Sequence, residues 1–261
     1  MNMNYIAIIV TVKNRVNHFI QTFPSLITQY GTDYEIVMVD FASNDALNEQ
    51  IIKEIQLRRV MFSPYLQKII YVKLEENLKF NPRKAKNLGV ANISNEVNVL
   101  AFSDVDTFIG VDYIGYWTDK IQNQKSFFIT RQQESRAMYS CRLKPEINYG
   151  NIIVYKDDFY DICGWDESVG YYGGDDDDLC HRLKLKGLRE INPMNHVDAK
   201  QFSILHGDEV RTKLMEDSGG IDKAESFQKI YNNKVYKNSN CQFLNPQDSI
   251  TKTILFDKKR E

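Results

Sequence analysis

Residues 97–110 read VNVLAFSDVDTFIG. The run at 97–102 is too short for a helix and apolar at nearly every position, the pattern of a strand covered on both faces of a sheet. Two carboxylates, Asp104 and Asp106, follow it, and strand alternation points both toward the same side. Such a pair can hold a hard divalent cation, Mg²⁺ or Mn²⁺. DxD is a common tripeptide in solvated loops, and the apolar strand in front of it is what sets this copy apart.

Working outward, similar β-branched runs occupy residues 6–12, 35–41, 68–74, 126–130 and 151–155. Helical patterns lie between them at 44–59, 82–92 and 111–122, the last with Tyr113, Trp117 and Ile121 on one face. Strands alternating with helices predict an α/β fold of doubly wound type, with a mainly parallel sheet. In such sheets ligands sit beyond the carboxyl ends of the strands. The residues there are polar: Lys13-Asn14-Arg15 after the first run, Asp40 near the end of the second, and Asp104 and Asp106 after the fourth.

The chain of 261 residues is 43% hydrophobic and 12% aromatic, enough for a full core. Its formal net charge of -2 gives no global basic field, so an anionic ligand must be held by a local cluster, and nucleic-acid binding is disfavoured. No run approaches the ~20 apolar residues of a membrane span, and the first residues read as a buried strand rather than a leader, leaving at most peripheral membrane association. The four cysteines stand far apart without CxxC spacing. That argues against a zinc site, gives no disulfide framework and points to the cytoplasm.

A second constellation spans residues 164–187, GWDESVGYYGGDDDDLCHRLKLKG. Gly173 and Gly174 precede four carboxylates, Asp175 to Asp178, that open an amphipathic helix. One or two acids in a first helical turn are favoured by the helix dipole, by ~0.3–1 kcal/mol each. Four in a row repel one another. Crowding of that kind raises the pKa of some members and suits a general base that takes a proton from a hydroxyl. Trp165, Tyr171 and Tyr172 supply flat faces of the kind that pack on sugar rings, and equally suit core packing.

With these stretches in view, the sequence resembles the β-1,4-galactosyltransferases, and more loosely the galactosyltransferase-like part of polypeptide N-acetylgalactosaminyltransferases and of bacterial chondroitin polymerases. The resemblance rests on FSDVDTFIG, the 164–187 segment and His206, together with TVKNRVNHF at 11–19 and FNPRKAKNLGV at 80–90, all in the family's order. FNPRKAKNLGV also resembles bacterial family 2 transferases. It implies a GT-A fold, Rossmann-like, with helices flanking the sheet. Residues 1–206 would form the catalytic domain, with 1–110 its nucleotide-binding half and 111–206 its acceptor-binding half. Residues 207–261 are expected to be a helical tail packed on it.

The implied activity is inverting transfer of a sugar from a UDP-sugar donor to an oligosaccharide or lipid-linked glycan, with Mn²⁺ or Mg²⁺ as cofactor. Carried over by residue, Thr11, Lys13, Arg15, Arg83, Lys84, Asn87 and Asp104 would bind the nucleotide, and Asp40 its uracil. Asp104, Asp106 and His206 would hold the metal. Asp176 would be the catalytic base, with Asp177, Asp175, Tyr172 and Trp165 at the acceptor. Three positions depart from the family: Ser203 where it has a methionine metal ligand, Pro82 where it has an arginine, and Tyr172 where it has a tryptophan. Two other classes compete. DVDTF also resembles the loop of haloacid-dehalogenase-type phosphatases, although three apparent strands precede it here, and a degenerate domain could bind sugar or nucleotide without catalysis.

Overall fold

The computed structural model describes residues 4–75, 80–122, 125–130, 150–168, 174–193, 196–204, 230, 234–237 and 249–260. Four parallel strands, β1 (Tyr5–Val12), β2 (Asp33–Asp40), β3 (Leu66–Leu74) and β4 (Val99–Asp104), lie side by side in the order β3-β2-β1-β4. Their sequences explain the burial. On β1, Ile6, Ile8, Val10 and Val12 enter one apolar layer while Ala7 and Ile9 enter the other. Each fully buried aliphatic side chain stabilises the fold by about 1.5–3 kcal/mol relative to exposure, so a strand apolar on both faces is stable only between two helical layers.

Those layers are present. Helices α1 (Val16–Ile27), α2 (Leu47–Arg58) and α4 (Tyr113–Gln122) cover one face with Phe19, Phe23, Ile51, Ile55, Tyr113 and Trp117. Helices α3 (Pro82–Ala91), α5 (Lys156–Asp161) and α6 (Asp175–Leu185) cover the other with Ala85, Leu88, Phe159, Leu179 and Leu183. Helix α3 starts cleanly, with Asn81 accepting from the Lys84 amide and Pro82 in the first turn. It also approaches the sheet closely at Gly89, where a Cβ would stand 2.5 Å from the Ile9 side chain.

The second half of the sheet is mixed. β7 (Ile152–Tyr155) runs antiparallel to β4 and to β6 (Ser126–Ile129), while β8 (Arg189–Ile191) is parallel to β6. A separate ribbon pairs β5 (Thr107–Ile109) with β9 (Gln201–Ser203), and a short helix α7 (His196–Ala199) precedes β9. With β10 (Ile250–Asp257) at one edge, the order of the large sheet is β10-β3-β2-β1-β4-β7-β6-β8.

Two expectations are corrected here. The 207–261 segment, expected to be a helical tail, supplies β10 (Ile250–Asp257), which pairs antiparallel with β3 and closes that edge of the sheet. Only one of its flanks meets the core, so its sequence ITKTILFD carries a weak strand signal inside a charged stretch. Cys163 is disulfide-bonded, whereas the cysteine spacing suggested no framework; distance along the chain does not limit how near two thiols fold. No helix among the described residues is long and apolar enough to cross a membrane.

Candidate active site

At the carboxyl ends of β1 and β2, two loops are stitched together. The Phe41 amide donates to the Val12 carbonyl at 2.9 Å. The Asn14 amide donates to Ser43 Oγ at 3.0 Å, and the Asn44 amide to Asn14 Oδ1 at 2.9 Å. Lys13 Nζ donates to the Ala42 carbonyl at 2.8 Å, and Asp45 Oδ2 accepts from the Val16 amide at 2.8 Å, capping α1 from across the gap. Asn14 and Ala42 take left-handed φ of 52° and 51°, conformations that the cross-bonds hold in place. Asp40, the last residue of β2, accepts from the Ser43 amide at 2.7 Å and from the Tyr71 hydroxyl at 2.6 Å. Thr11 sits half-buried beside Asp104 in the β1–β4 register.

Asp104 ends β4 and Asp106 lies in the turn beyond it. Arg15 Nη1 donates to Asp106 Oδ2 at 2.8 Å. Burial, reinforced by the charges of Asp106 and Asp175, pushes the Asp104 carboxyl up to about 6, against the pull of Lys86 and Arg15. The Asp104 amide donates to Asn151 Oδ1 at 3.0 Å; Asn151 Nδ2 donates to Gln201 Oε1 at 2.9 Å, and Gln201 Nε2 to Thr130 Oγ1 at 3.1 Å. The Ile204 amide donates to the Asp106 carbonyl at 2.8 Å. The acidic pair is thus tied to β9, and through it to the stretch that leads toward His206.

Among the described residues no group of three or more potential ligands gathers around one point. Asp104 and Asp106 nonetheless suit a hard divalent ion. Both are oxygen donors, and a cation beside them would offset the burial and the neighbouring negative charge that raise the proton affinity of Asp104.

The third element is the start of α6. Its four aspartates are all buried. Lys86 of α3 reaches across to Asp175 Oδ2 at 3.1 Å and Asp176 Oδ1 at 3.3 Å, with its Nζ 4.2 Å from the centre of the Trp165 ring. Burial opposes the charge on this ammonium, but Asp176, Asp175 and Asp104 outweigh it and hold the lysine above its usual range. Burial also opposes ionisation of Asp175, yet Lys86 and Arg83 prevail and lower its pKa. Asp176 goes the other way: burial first, then the charge of Asp175, pushes it up to about 7. Gly150, at a φ of 115°, leaves the space that Asp176 occupies, since a Cβ there would come within 2.7 Å of Asp176 Oδ2. Asp178 instead accepts two bonds from Arg182, at 2.9 and 2.6 Å.

The structure thus brings Arg15, Arg83, Asp104, Asp106, Asp175 and Asp176 into one electrostatic cluster, in which Lys86 is central and had not been singled out. Asn151, Gln201 and Gly150 are further parts that carried no motif. Lys84 stays at the half-buried start of α3, and Asp177 is buried beside Asp176. Two expected roles change. Asn87, expected at the nucleotide, has its amide engaged elsewhere: Nδ2 donates to the Trp165 carbonyl and to Glu167 Oε1, and Oδ1 accepts from the Trp165 amide. It joins α3 to the loop before α6. Trp165, expected at the acceptor, is buried edge-on against Phe102 and floors Lys86, with no face open to a sugar. Tyr172 and His206 lie outside the described residues.

A Glycosyl transferase family 2 model matches residues 7–160, and a model described as the N-terminal domain of galactosyltransferase matches residues 135–206. A curated relative, glycosyltransferase GlyA of Streptococcus pneumoniae, is 36% identical over 109 residues, which cover 42% of this chain but only 14% of that protein. Among solved structures, a mannosyltransferase of Pyrobaculum calidifontis in complex with GDP-Man and Mn²⁺ superposes with a TM-score of 0.58 at 14% identity over 72% of this chain and 54% of that one. S. aureus TarS in complex with UDP gives 0.54 at 16% identity, over 87% and 70%. The catalytic domain of Drosophila β1,4-galactosyltransferase 7, in complex with xylobiose, gives 0.55 at 14% identity over 97% and 94%. These likenesses are to GT-A glycosyltransferases and establish that fold; the phosphatase reading of DVDTF falls with them. With one family model covering more than half of the residues, and the strand-end carboxylates lying inside the matched stretch, the chain belongs to glycosyl transferase family 2.

Proposed function

We propose that the protein is an inverting, metal-dependent glycosyltransferase that moves a hexosyl group (Gal, GalNAc, Glc or GlcNAc) from a UDP-sugar to a hydroxyl of an oligosaccharide or lipid-linked glycan. The observation that carries the reading is Asp176, a buried carboxyl poised at about 7 beside an acidic strand end. A base near neutrality is matched to taking a proton from a sugar hydroxyl as that oxygen attacks. The new bond forms from the acceptor oxygen to the anomeric carbon while the bond from that carbon to the UDP oxygen breaks on the opposite face, which inverts configuration. The proton ends on Asp176.

Lys13 and Arg15 supply the positive charge that the strand ends otherwise lack, and Asp40 accepts from the uracil N3–H. Asp104 and Asp106, with His206 as the third candidate, would hold the divalent ion, which when bound neutralises charge gathering on the departing diphosphate. Lys86 keeps Asp175 and Asp176 together. Relatives' ligands agree: TarS is described with UDP and UDP-GlcNAc, and the Drosophila enzyme with manganese, UDP-Gal and xylobiose.

The test is a panel of UDP-sugars with Mn²⁺, followed by ligand-detected NMR for binding and for slow donor hydrolysis. One or more UDP-sugars are expected to bind and be hydrolysed, and Asp106→Ala to lose both while keeping its fold. Undiminished turnover of the wild type in excess EDTA would end the metal-dependent reading, and binding without any turnover would leave a sugar- or nucleotide-binding domain.

A further inference from the structure

Tyr71 is a buried hydroxyl group that touches a strand-end carboxylate, Asp40. Alternation puts Met38 and Asp40 on one face of β2, and the β2–β3 register sets Met38 opposite Tyr71 and Asp40 opposite Lys73. From that position the Tyr71 side chain, 3% exposed, reaches up along the sheet to Asp40 Oδ2 at 2.6 Å. The Ser43 amide holds the other oxygen, Oδ1, at 2.7 Å. Burial and the neighbouring Asp40 push the phenol well above its usual range, so it remains a donor at any working pH.

We infer that Tyr71 is a positioning residue for donor-base selection: with Ser43 it pins both oxygens of Asp40, so that the lone pairs left over face the nucleotide in one fixed orientation. This rests on the UDP-sugar reading above. A carboxylate fixed in this way offers acceptors only. A base presenting an N–H, as uracil does at N3, gains a charge-assisted bond; one presenting a lone pair there, as cytosine does, meets repulsion. Short O–H···O⁻ bonds of this kind are the strong ones, and without it the carboxylate is free to turn. Tyr71 itself does not touch the nucleotide.

The test is calorimetry of UDP and CDP binding to wild type, Tyr71→Phe, Asp40→Asn and the double variant, with kcat and KM for the donor on the same proteins. Wild type is expected to prefer UDP. In Tyr71→Phe the UDP affinity should fall about 10-fold and the UDP-to-CDP ratio should collapse by a similar factor, with the loss in KM and with kcat at saturating donor within about 3-fold. In the Asp40→Asn background, adding Tyr71→Phe should change UDP binding by less than about 2-fold, because the interaction it works through is gone. Equal loss for UDP and CDP, or an unchanged ratio, overturns the inference and leaves the donor assignment standing. A wild type that does not prefer UDP overturns the donor assignment itself, and this inference with it.

Discussion

Within a single turn of α6 the same side chain is held in two different ways. Asp175 and Asp176 share one ammonium, Lys86, with a third carboxylate, Asp104, close enough to add its charge. Asp178 has a guanidinium to itself: Arg182 forks onto it with two nitrogens, and spends a third on the Ile162 carbonyl at 3.0 Å. All of these groups are buried except Asp104, which is half-buried. Where buried charges match, the pair is a structural joint, and removing one partner strands the other. Where negative charges outnumber positive ones, one carboxyl holds its proton until near neutral pH, and a group in that condition can exchange it with a substrate. The sequence DDDD does not distinguish these fates; the cations brought to it do.

The comparison breaks most visibly at Asp176. Asp176→Asn keeps the shape and cannot accept a proton, so turnover should fall about 10²-fold or more, while UDP-sugar binding changes little. Asp178→Asn should act on the other axis: unfolding free energy drops by about 3 kcal/mol because Arg182 is left buried without its partner, and turnover of the folded protein stays within a few-fold. Steady-state kinetics and urea unfolding on both variants decide the matter. If the two phenotypes are exchanged, the division of α6 into a working front and a structural turn is wrong.

Lys86 sharpens the division. Lys86→Met removes the one ammonium shared by Asp175 and Asp176, and its pull on Asp176 is toward ionisation. Without it Asp176 should hold its proton to higher pH, so the acidic limb of the kcat profile moves up by more than a unit and turnover at pH 7 falls about 10-fold. Raising the pH to 9 should recover most of the loss. Lys86→Arg, which restores a cation, should recover the position of the limb. A loss independent of pH would mean that Lys86 only packs the helices together.

Much of the fold was legible in the sequence because burial on both faces leaves its mark as continuous apolar runs, and all six runs are strands. Helix α1 was not among the marked patterns; it carries Pro24 in its interior, a residue that normally argues against a helix. The strand ends were legible too, since Asp40, Asp104 and Asp106 interrupt apolar runs. Lys86 was not, because lysine on a helix usually means a solvated face. Its signal was spacing: Arg83, Lys86 and Asn87 fall at i, i+3 and i+4, a polar stripe on a buried side of α3. Asn87, on the same stripe, was expected at the nucleotide from the family resemblance. It is buried for the sake of the Trp165 backbone, a partner 78 residues away that no local pattern announces.

The smallest expected effect lies at Asp175, and its sign is opposite to that of Lys86. Asp175 contributes negative charge to Asp176 as the second cause, after burial, of its high pKa. Asp175→Asn removes that charge, keeps the side chain's size and leaves Lys86 to Asp176 alone. Asp176 should then ionise at lower pH. The acidic limb of kcat moves down by less than a unit, so that at pH 6 turnover rises about 2-fold relative to the plateau while the plateau itself stays within about 3-fold. Acceptor KM can rise in the same variant without touching this readout, because kcat is taken at saturating acceptor. A limb that stays in place would mean that burial alone sets the proton affinity of Asp176. A plateau that falls about 10²-fold or more would mean that Asp175, and not Asp176, is the carboxylate whose ionisation turnover requires.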